Sequence, residues 1–391
     1  MASFDAMPVF SILRRCRRQV RAYPLLYRAL IRARSAGREW GLQLCRFILP
    51  ASLNFGPAKG WFSMAEKVRT GARRGRILFE GQRAPDPSSS SLRRLAPLGQ
   101  HLQQRWPVFW SHHADARLIG PTLLLEEGPH RVGVESAYGP DFIKHDPGYR
   151  QFRRPPAVRL EGNWTSVISR WSEGFCHWFV DALPRLALLQ ELPPDTRIIV
   201  PANLQGFRRD TLEWLGLMGR VRPTVEQHLS IENYYFCSPT NVTGLFDPYA
   251  VEFLRRSFLE RRDTTYDSPQ RFFVHRVGAV RGLVNEEEVL KMFHDRGWAV
   301  IDTERLTMAQ QIQLFARAEH VCALHGAALT NLLWCKPRCR VIELVASTYM
   351  NGTYEGIAEG VGLDYDFLVC AGDIDWKARV NIAKLKALLP K

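Results

Sequence analysis

Apolar positions fall in short runs separated by longer amphipathic stretches, and the last third of the chain shows this most plainly. Arg271 to His275 reads as a buried strand. Asn285 then stands at the N-cap of a helix whose first turn is Glu286, Glu287 and Glu288 and which Gly297 ends. Trp298 to Ile301 is the next strand. Thr307 and Gln310 have capping-box spacing for a helix reaching Ala318. A strand into His325, a helix to Trp334 and a strand at Arg340 to Val345 complete a β-α-β-α-β-α-β order, which predicts a Rossmann-like parallel sheet.

Upstream the pattern is looser. Apolar runs at 117–125, 131–135 and 164–169 read as strands, followed by a strong helix over Gly174 to Leu192 that Pro184 bends. Thr196 to Val200 is a strand, Phe207 to Leu217 a helix, and Tyr234 to Cys237 a strand. Alternation of this kind predicts a second open parallel sheet. The polar stretch Arg261 to Ser268 marks a linker, and residues 84–100 form a Pro/Ser-rich break. The expected organisation is therefore an extension over residues 1–104, one α/β domain over 105–265 and a second over 266–391.

The formal charge of +14 sits almost entirely in the extension: residues 1–120 hold 21 Lys and Arg against 6 Asp and Glu, and the remainder 32 against 33. Residues 11–49 carry Arg interleaved with Val20, Leu25, Leu26, Leu30 and Ile31. Two readings stand for that segment, a basic amphipathic helix on an anionic membrane surface and a solvated basic arm. No recognised nucleic-acid-binding motif accompanies the charge, so a specific nucleic-acid partner is not expected. Arg14, Arg15, Arg17 and Arg18 interrupt the first apolar residues before any secretory h-region forms, so the expected location is cytoplasmic, peripheral on the inner face of the cell membrane. The triplets at Asn163, Asn241 and Asn351 are then not glycan acceptors. Eight Cys scattered through 391 residues fit reduced thiols. Cys335 and Cys339 have no second pair at ligand spacing, so no metal site is expected.

Candidate chemistry gathers at two places. At His325-Gly326-Ala327-Ala328, a strand meets a small-residue turn and a helix start, where free amides suit a phosphate. Taken alone, such a glycine is better explained by packing. Ligands of parallel sheets sit at the carboxyl ends of the strands, so Arg276, His325 and Glu343 are expected in one crevice. There Arg276 and Arg281 would clamp phosphate oxygens, and Glu343 would accept ribose hydroxyls. Neither G-x-G-x-x-G nor G-x4-G-K-[ST] occurs, which favours a nucleotide diphosphate bearing a cargo over a dinucleotide or a P-loop substrate. The second place is the Gly174 helix, where His177 and Asp181 lie one turn apart. That pair suits a general base held in one tautomer, and equally a structural ion pair.

Phe-Val-His-Arg at 273–276, Arg281, Asn285-Glu286, the helix with Gln311, His-Gly-Ala-Ala-Leu-Thr-Asn at 325–331 and Val-Ile-Glu-Leu at 341–344 together resemble the donor half of family 61 glycosyltransferases. Cys-His-Trp-Phe-Val-Asp at 176–181 is similar to the acceptor-side helix of that family, so the likeness spans residues 160–370. The resemblance implies a GT-B fold with two Rossmann-like domains and an inter-domain cleft. It also implies a UDP-linked nucleotide-sugar donor, inversion at the anomeric carbon, and no obligatory metal or other cofactor. The carry-over makes His177 and Asp181 catalytic, with either His177, oriented by Asp181, or Asp181 itself as the base, and Arg276, Arg281, Asn285, Gln311, His325, Gly326, Ala327, Asn331 and Glu343 donor-binding. A hexosyl- or pentosyltransferase acting on a glycan or lipid-linked glycan acceptor in capsular or extracellular polysaccharide assembly is the expected function. A non-catalytic nucleotide-sugar-binding or scaffold protein of such an assembly is the alternative. Three positions depart from the family pattern: Gly174, where relatives often carry Asn; His275, in place of Ser; and Ala328, in place of Gly.

Overall fold

The computed structural model describes residues 60–80, 107–128, 131–137, 143, 146–149, 155–240, 246–276 and 281–390. The 11–49 segment lies outside them. All described residues but Pro155 belong to one compact unit, Ala58–Arg150 with Pro156–Lys391. It is a mixed α/β structure with two sheets, compatible with a two-domain α/β fold.

The first sheet holds β1 (Gly60–Phe62), β2 (Gly75–Phe79), β3 (Val108–Ile119), β4 (Leu124–Glu127), β5 (Arg131–Gly133), β6 (Val158–Ser166), β7 (Arg197–Pro201), β8 (Val221–Thr224) and β9 (His228–Cys237). Its order is β1-β5-β4-β3-β9-β6-β7-β8, with β2 also on β3. The expected parallel sheet is realised over β9-β6-β7-β8 and again where the edge strand β1 joins β5; β2/β3, β3/β4, β3/β9 and β4/β5 run antiparallel. The apolar run 117–125, read as one strand, is two strands meeting at a tight turn. Gly120 and Leu123 adopt φ of 75° and 52° there, and Ile119 faces Leu124. A turn this short can join only antiparallel neighbours, whereas the helical crossover between β6 and β7 permits parallel ones. The run 131–135 is likewise shorter, since Val134–Ala137 coils into a 3-10 turn.

The second sheet holds β10 (Arg271–Val274), β11 (Ala299–Ile301), β12 (His320–Leu324), β13 (Arg340–Ala346), β14 (Asp364–Gly372) and β15 (Ala378–Arg379), in the order β11-β10-β12-β13-β14-β15. All neighbours are parallel except β14/β15. Both faces are covered, as near-continuous apolar strands require. Phe273, Cys322, Leu324, Ile342 and Leu344 pack on one face, and Phe272, Val274, Val321, Ala323 and Val341 on the other. By the two-residue alternation of a strand, Glu343 shares the second face with Ala323, its partner in register.

The capping box forms as the spacing predicts: Gln310 N donates to Thr307 Oγ1, and Thr307 N to Gln310 Oε1. Gly297 takes the left-handed conformation past the Glu286–Asp295 helix, with φ of 68°. Asn285 occupies the N-cap position, but its side chain does not cap that helix. The second face of sheet two packs into a core shared with the first half of the chain. Trp334 is fully buried with its ring edge-on to Phe179 at 5.8 Å and Phe258 at 6.2 Å. The six described cysteines are all free and buried.

On β3, buried His113 lies 2.9 Å from Ser111 Oγ, and burial, with the positive charge of Arg73 second, pulls its pKa from 6.5 to about 3. The fold thus keeps it neutral where the unfolded chain takes up a proton. Its contribution to stability is complete above about pH 6.5 and lost progressively toward pH 3. Urea denaturation at pH 7 and pH 4.5 is expected to show a larger acid loss for wild type than for His113→Gln; equal losses would contradict this.

Candidate active site

Phe175 to Glu191 follows the expected helix but changes pitch twice. One α turn (Phe175–His177) passes into a π segment (Trp178–Ala182) and then a 3-10 segment (Leu183–Glu191). Pro184 lacks the N–H that an α-helical bond needs at this point, which accounts for the break in register. Such wide turns often mark functional positions. Here the turn aligns His177 Nδ1 with Asp181 Oδ2 at 2.6 Å. The Asp181 side chain is 4% exposed and the His177 side chain 30%. Asp181 therefore lies behind the ring and holds Nδ1–H, leaving Nε2 as the free nitrogen toward solvent. Trp171 stacks on the His177 ring with centroids 5.1 Å apart, and the Arg170 guanidinium lies over the Trp171 ring at 5.2 Å. A Cβ on Gly174 would meet nothing closer than 3.4 Å, so its departure from the family pattern is not a packing requirement.

At the carboxyl end of β12 the chain turns through Gly326 into a 3-10 helix, Ala327–Trp334, rather than an α-helix. The Gly326 backbone is extended, with φ of 170°, so conformational freedom does not explain the glycine. Close approach does. A Cβ there would stand 2.5 Å from Nη1 and 2.7 Å from Cζ of Arg276. The guanidinium lies flat on this residue, and its Nη1 donates to the His325 carbonyl at 3.0 Å. Burial, and next the positive charge of Arg281, hold the Arg276 pKa below its ordinary value. Two neighbouring cations of this kind are relieved by an anion between them. Among the described residues the amides of Ala327 and Ala328 have no backbone acceptor, so they add donors beside the guanidinium.

His325 and Glu343 do not face this anion seat. His325 Nδ1 makes a very short hydrogen bond with Glu343 Oε1, and the Tyr365 hydroxyl donates in the same way to Oε2. Thr353 N donates to Asn351 Oδ1, which orients that amide so that its Nδ2 donates to His325 Nε2 at 3.1 Å. Nε2 is therefore an acceptor, and Nδ1 carries the hydrogen. Both ring nitrogens and both Glu343 oxygens are committed to protein. Glu343, expected on a ribose, is fully buried and braces His325 from below. His325 in turn presents its carbonyl to Arg276.

Gln311 and Asn331 also work behind the seat. Gln311 Nε2 donates to the carbonyls of Thr303 and Leu306, and its Oε1 accepts from Asn331 Nδ2 at 2.9 Å. Asn331 Oδ1 accepts from Trp334 Nε1. Together they tie the 327–334 helix to the Met308–Arg317 helix. Asn285 clasps Val380 instead, donating to its carbonyl and accepting from its N–H, each at 2.9 Å. His275 Nε2 lies 3.0 Å from Glu286 Oε1 but off the line of a hydrogen bond.

The two places meet through buried groups that sequence reasoning missed. Cys176, beside His177, meets the hydroxyl of Tyr354, whose ring packs on His325 at 5.0 Å. Thr330 sits beside the same thiol without a well-aligned hydrogen bond. Burial pushes the Cys176 thiol up to about 11, so it is no nucleophile. Residues 175–342 match the Glycosyltransferase 61 family model. The match takes in His177 and Asp181 as well as Arg276 and the His325-Gly326 turn, and it lies within the 160–370 span of the resemblance. No curated protein matches the chain. By its description, the matched family is one of glycosyltransferases. No group of three metal-binding side chains and no helix long and apolar enough to cross a membrane occurs among the described residues. A cavity of about 570 Å³ opens at the opposite, amino-terminal ends of β12 and β13, among Glu319, His320, Lys336 and Arg338, away from this chemistry.

Glu343→Gln supplies one acceptor where two are used and so leaves either His325 Nδ1–H or the Tyr365 hydroxyl unpaired. A destabilisation of about 1–3 kcal/mol in urea denaturation is expected; an unchanged midpoint would contradict the brace.

Proposed function

We propose that the protein is an inverting glycosyltransferase of GT-B arrangement that takes a sugar from a nucleotide-diphosphate donor, UDP-linked, to a hydroxyl of a glycan or lipid-linked glycan acceptor in capsular or extracellular polysaccharide assembly. The observation that carries this reading is the adjacency of a base with an outward nitrogen, His177, to a paired guanidinium seat, Arg276 with Arg281. The two are joined through Cys176 and Tyr354.

In a single displacement, His177 Nε2 takes the proton of the acceptor hydroxyl as its oxygen bonds to the anomeric carbon. The bond from that carbon to the diphosphate oxygen breaks on the opposite face, which inverts the centre. Charge on the departing diphosphate falls on Arg276, Arg281 and the amides of Ala327 and Ala328, so cationic side chains take the part a metal plays elsewhere. Asp181 holds the ring in the tautomer that exposes Nε2. The basic 11–49 segment is the proposed contact with an anionic membrane, which suits a lipid-linked acceptor on the inner face of the cell membrane.

A thermal-shift screen of nucleotide sugars identifies the donor, since a ligand of the native state raises Tm with concentration. Donor turnover then tests the site. His177→Ala is expected to lower kcat about 10²-fold or more, and Asp181→Asn to lower it less, with donor Kd unchanged in both. Near-normal turnover in both variants would remove His177 from the reaction; donor binding without transfer by the wild type would leave a nucleotide-sugar-binding protein.

A further inference from the structure

The donor reading accounts for a diphosphate and leaves the rest of the nucleotide without a seat. Beside the Arg276–Arg281 pair the structure exposes an aromatic face that the fold takes unusual trouble to place. Tyr349 packs on the His325 ring at 5.4 Å, the Arg281 guanidinium lies over the Tyr349 ring at 4.5 Å, and Trp376 packs on Tyr349 at 5.6 Å. Trp376 is nevertheless 47% exposed and Tyr349 36%. Both lie past the carboxyl ends of β13 and β14, the edge at which open parallel sheets receive ligands.

Three features fix Trp376 there. It sits in the β14–β15 hairpin with φ of 61°, a left-handed conformation that costs a bulky residue energy and is met readily only by glycine. Asp373 closes the turn, its carboxylate accepting from the amides of Asp375 and Lys377. Gly372 lets the hairpin lie directly on the turn leading to Tyr349, since a Cβ there would stand 2.4 Å from Thr348 Oγ1 and 2.8 Å from Thr348 N. On the far side of the hairpin, Ala378 exchanges backbone hydrogen bonds with Gly282 and Val284, and Asn285 clasps Val380. The loop that carries Arg281 and the hairpin that carries Trp376 are thus one braced piece.

The geometry points to Trp376, with Tyr349, as the platform on which the nucleobase of the donor stacks, while Arg281 spans the step from base to diphosphate. This assignment rests on the nucleotide-donor reading above. A flat aromatic face accepts any base through its π-system, so the platform supplies affinity and places the ribose and diphosphate over Arg276 rather than choosing the base by hydrogen bonds. Asn285 acts here as a positioning residue, through the loop and not by touching the ligand.

The test is calorimetric titration of the full chain with UDP, GDP and ADP, and with inorganic pyrophosphate as a probe that lacks a base. Wild type is expected to bind at least one nucleoside diphosphate more tightly than pyrophosphate. Trp376→Ala is expected to weaken that nucleotide about five- to 150-fold, the range of one base–aromatic stack, and to leave pyrophosphate unchanged. Trp376→Gly relieves the left-handed backbone, so it is expected to hold or raise Tm while losing the same affinity, which a merely structural tryptophan would not do. Trp376→Phe is expected to recover most of the binding. Nucleotide affinity unchanged in Trp376→Ala, or equal losses for nucleotide and pyrophosphate, overturns the platform and leaves the donor reading standing. A wild type that binds no nucleoside diphosphate overturns both.

Discussion

One close approach governs the candidate site: the guanidinium of Arg276 lies against the backbone of Gly326, at a distance no β-carbon tolerates. That contact turns a strand end and a 3-10 turn into a cationic surface. It is held from one side by the His325 carbonyl and charged further by Arg281; burial first, and then that like charge, depresses the Arg276 pKa, and the paired positive charge invites an anion. The positive end of a long helix is not needed. Two free amides and two guanidinium groups supply the donors, and the short helix that follows serves chiefly to bury Leu329, Leu332, Leu333 and Trp334.

Beneath the contact runs a buried polar chain that makes it rigid. Glu343 occupies the middle of a fully covered parallel sheet, where an unpaired carboxylate would be costly, and it is satisfied by His325 and Tyr365. Asn351 takes the other nitrogen of His325, and the rings of Tyr349 and Tyr354 pack on the imidazole. The imidazole therefore cannot turn, and its carbonyl stays aimed at Arg276. Networks of this kind rigidify when every member is paired, and each member here has its partner. Tyr354 carries the same rigidity across to Cys176 and the His177 turn, so the His177–Asp181 pair and the Arg276 surface share one buried frame.

Much of this was legible in the sequence, for reasons that are local. Thr307 with Gln310, Gly297 past a helix end, and the apolar runs of β10 to β13 are short-range signals, and the second sheet follows from them. Pairing of the first sheet depends on which strands meet across long intervals, so β3 against β9 and the turn hidden inside 117–125 were not readable from periodicity. At the site, residue type is a poor guide to which partner a side chain takes. Glu343 inside its strand, Gln311 and Asn331 inside their helices and Asn285 at a helix start are polar residues whose type suits ligand contact and internal bracing alike, and their partners, Tyr365, Thr303, Trp334 and Val380, are distant in sequence or invisible to spacing. The turn at Gly326 suggests amides open to a phosphate; the space beside the glycine itself is filled by Arg276. Trp376 gave no signal at all, because a left-handed tryptophan cannot be inferred from its neighbours.

The central claim is that the Arg276–Gly326 contact forms the seat of the leaving diphosphate, and Gly326→Ala addresses it with a single methyl group. The methyl meets only the end of a flexible side chain, so the fold accommodates it by moving the guanidinium. Titration with a nucleoside diphosphate that wild type binds is predicted to show a loss of about tenfold or more, with Tm held within about 2 °C, as expected when one charge-assisted pair is displaced. Undiminished affinity in that variant would contradict the account.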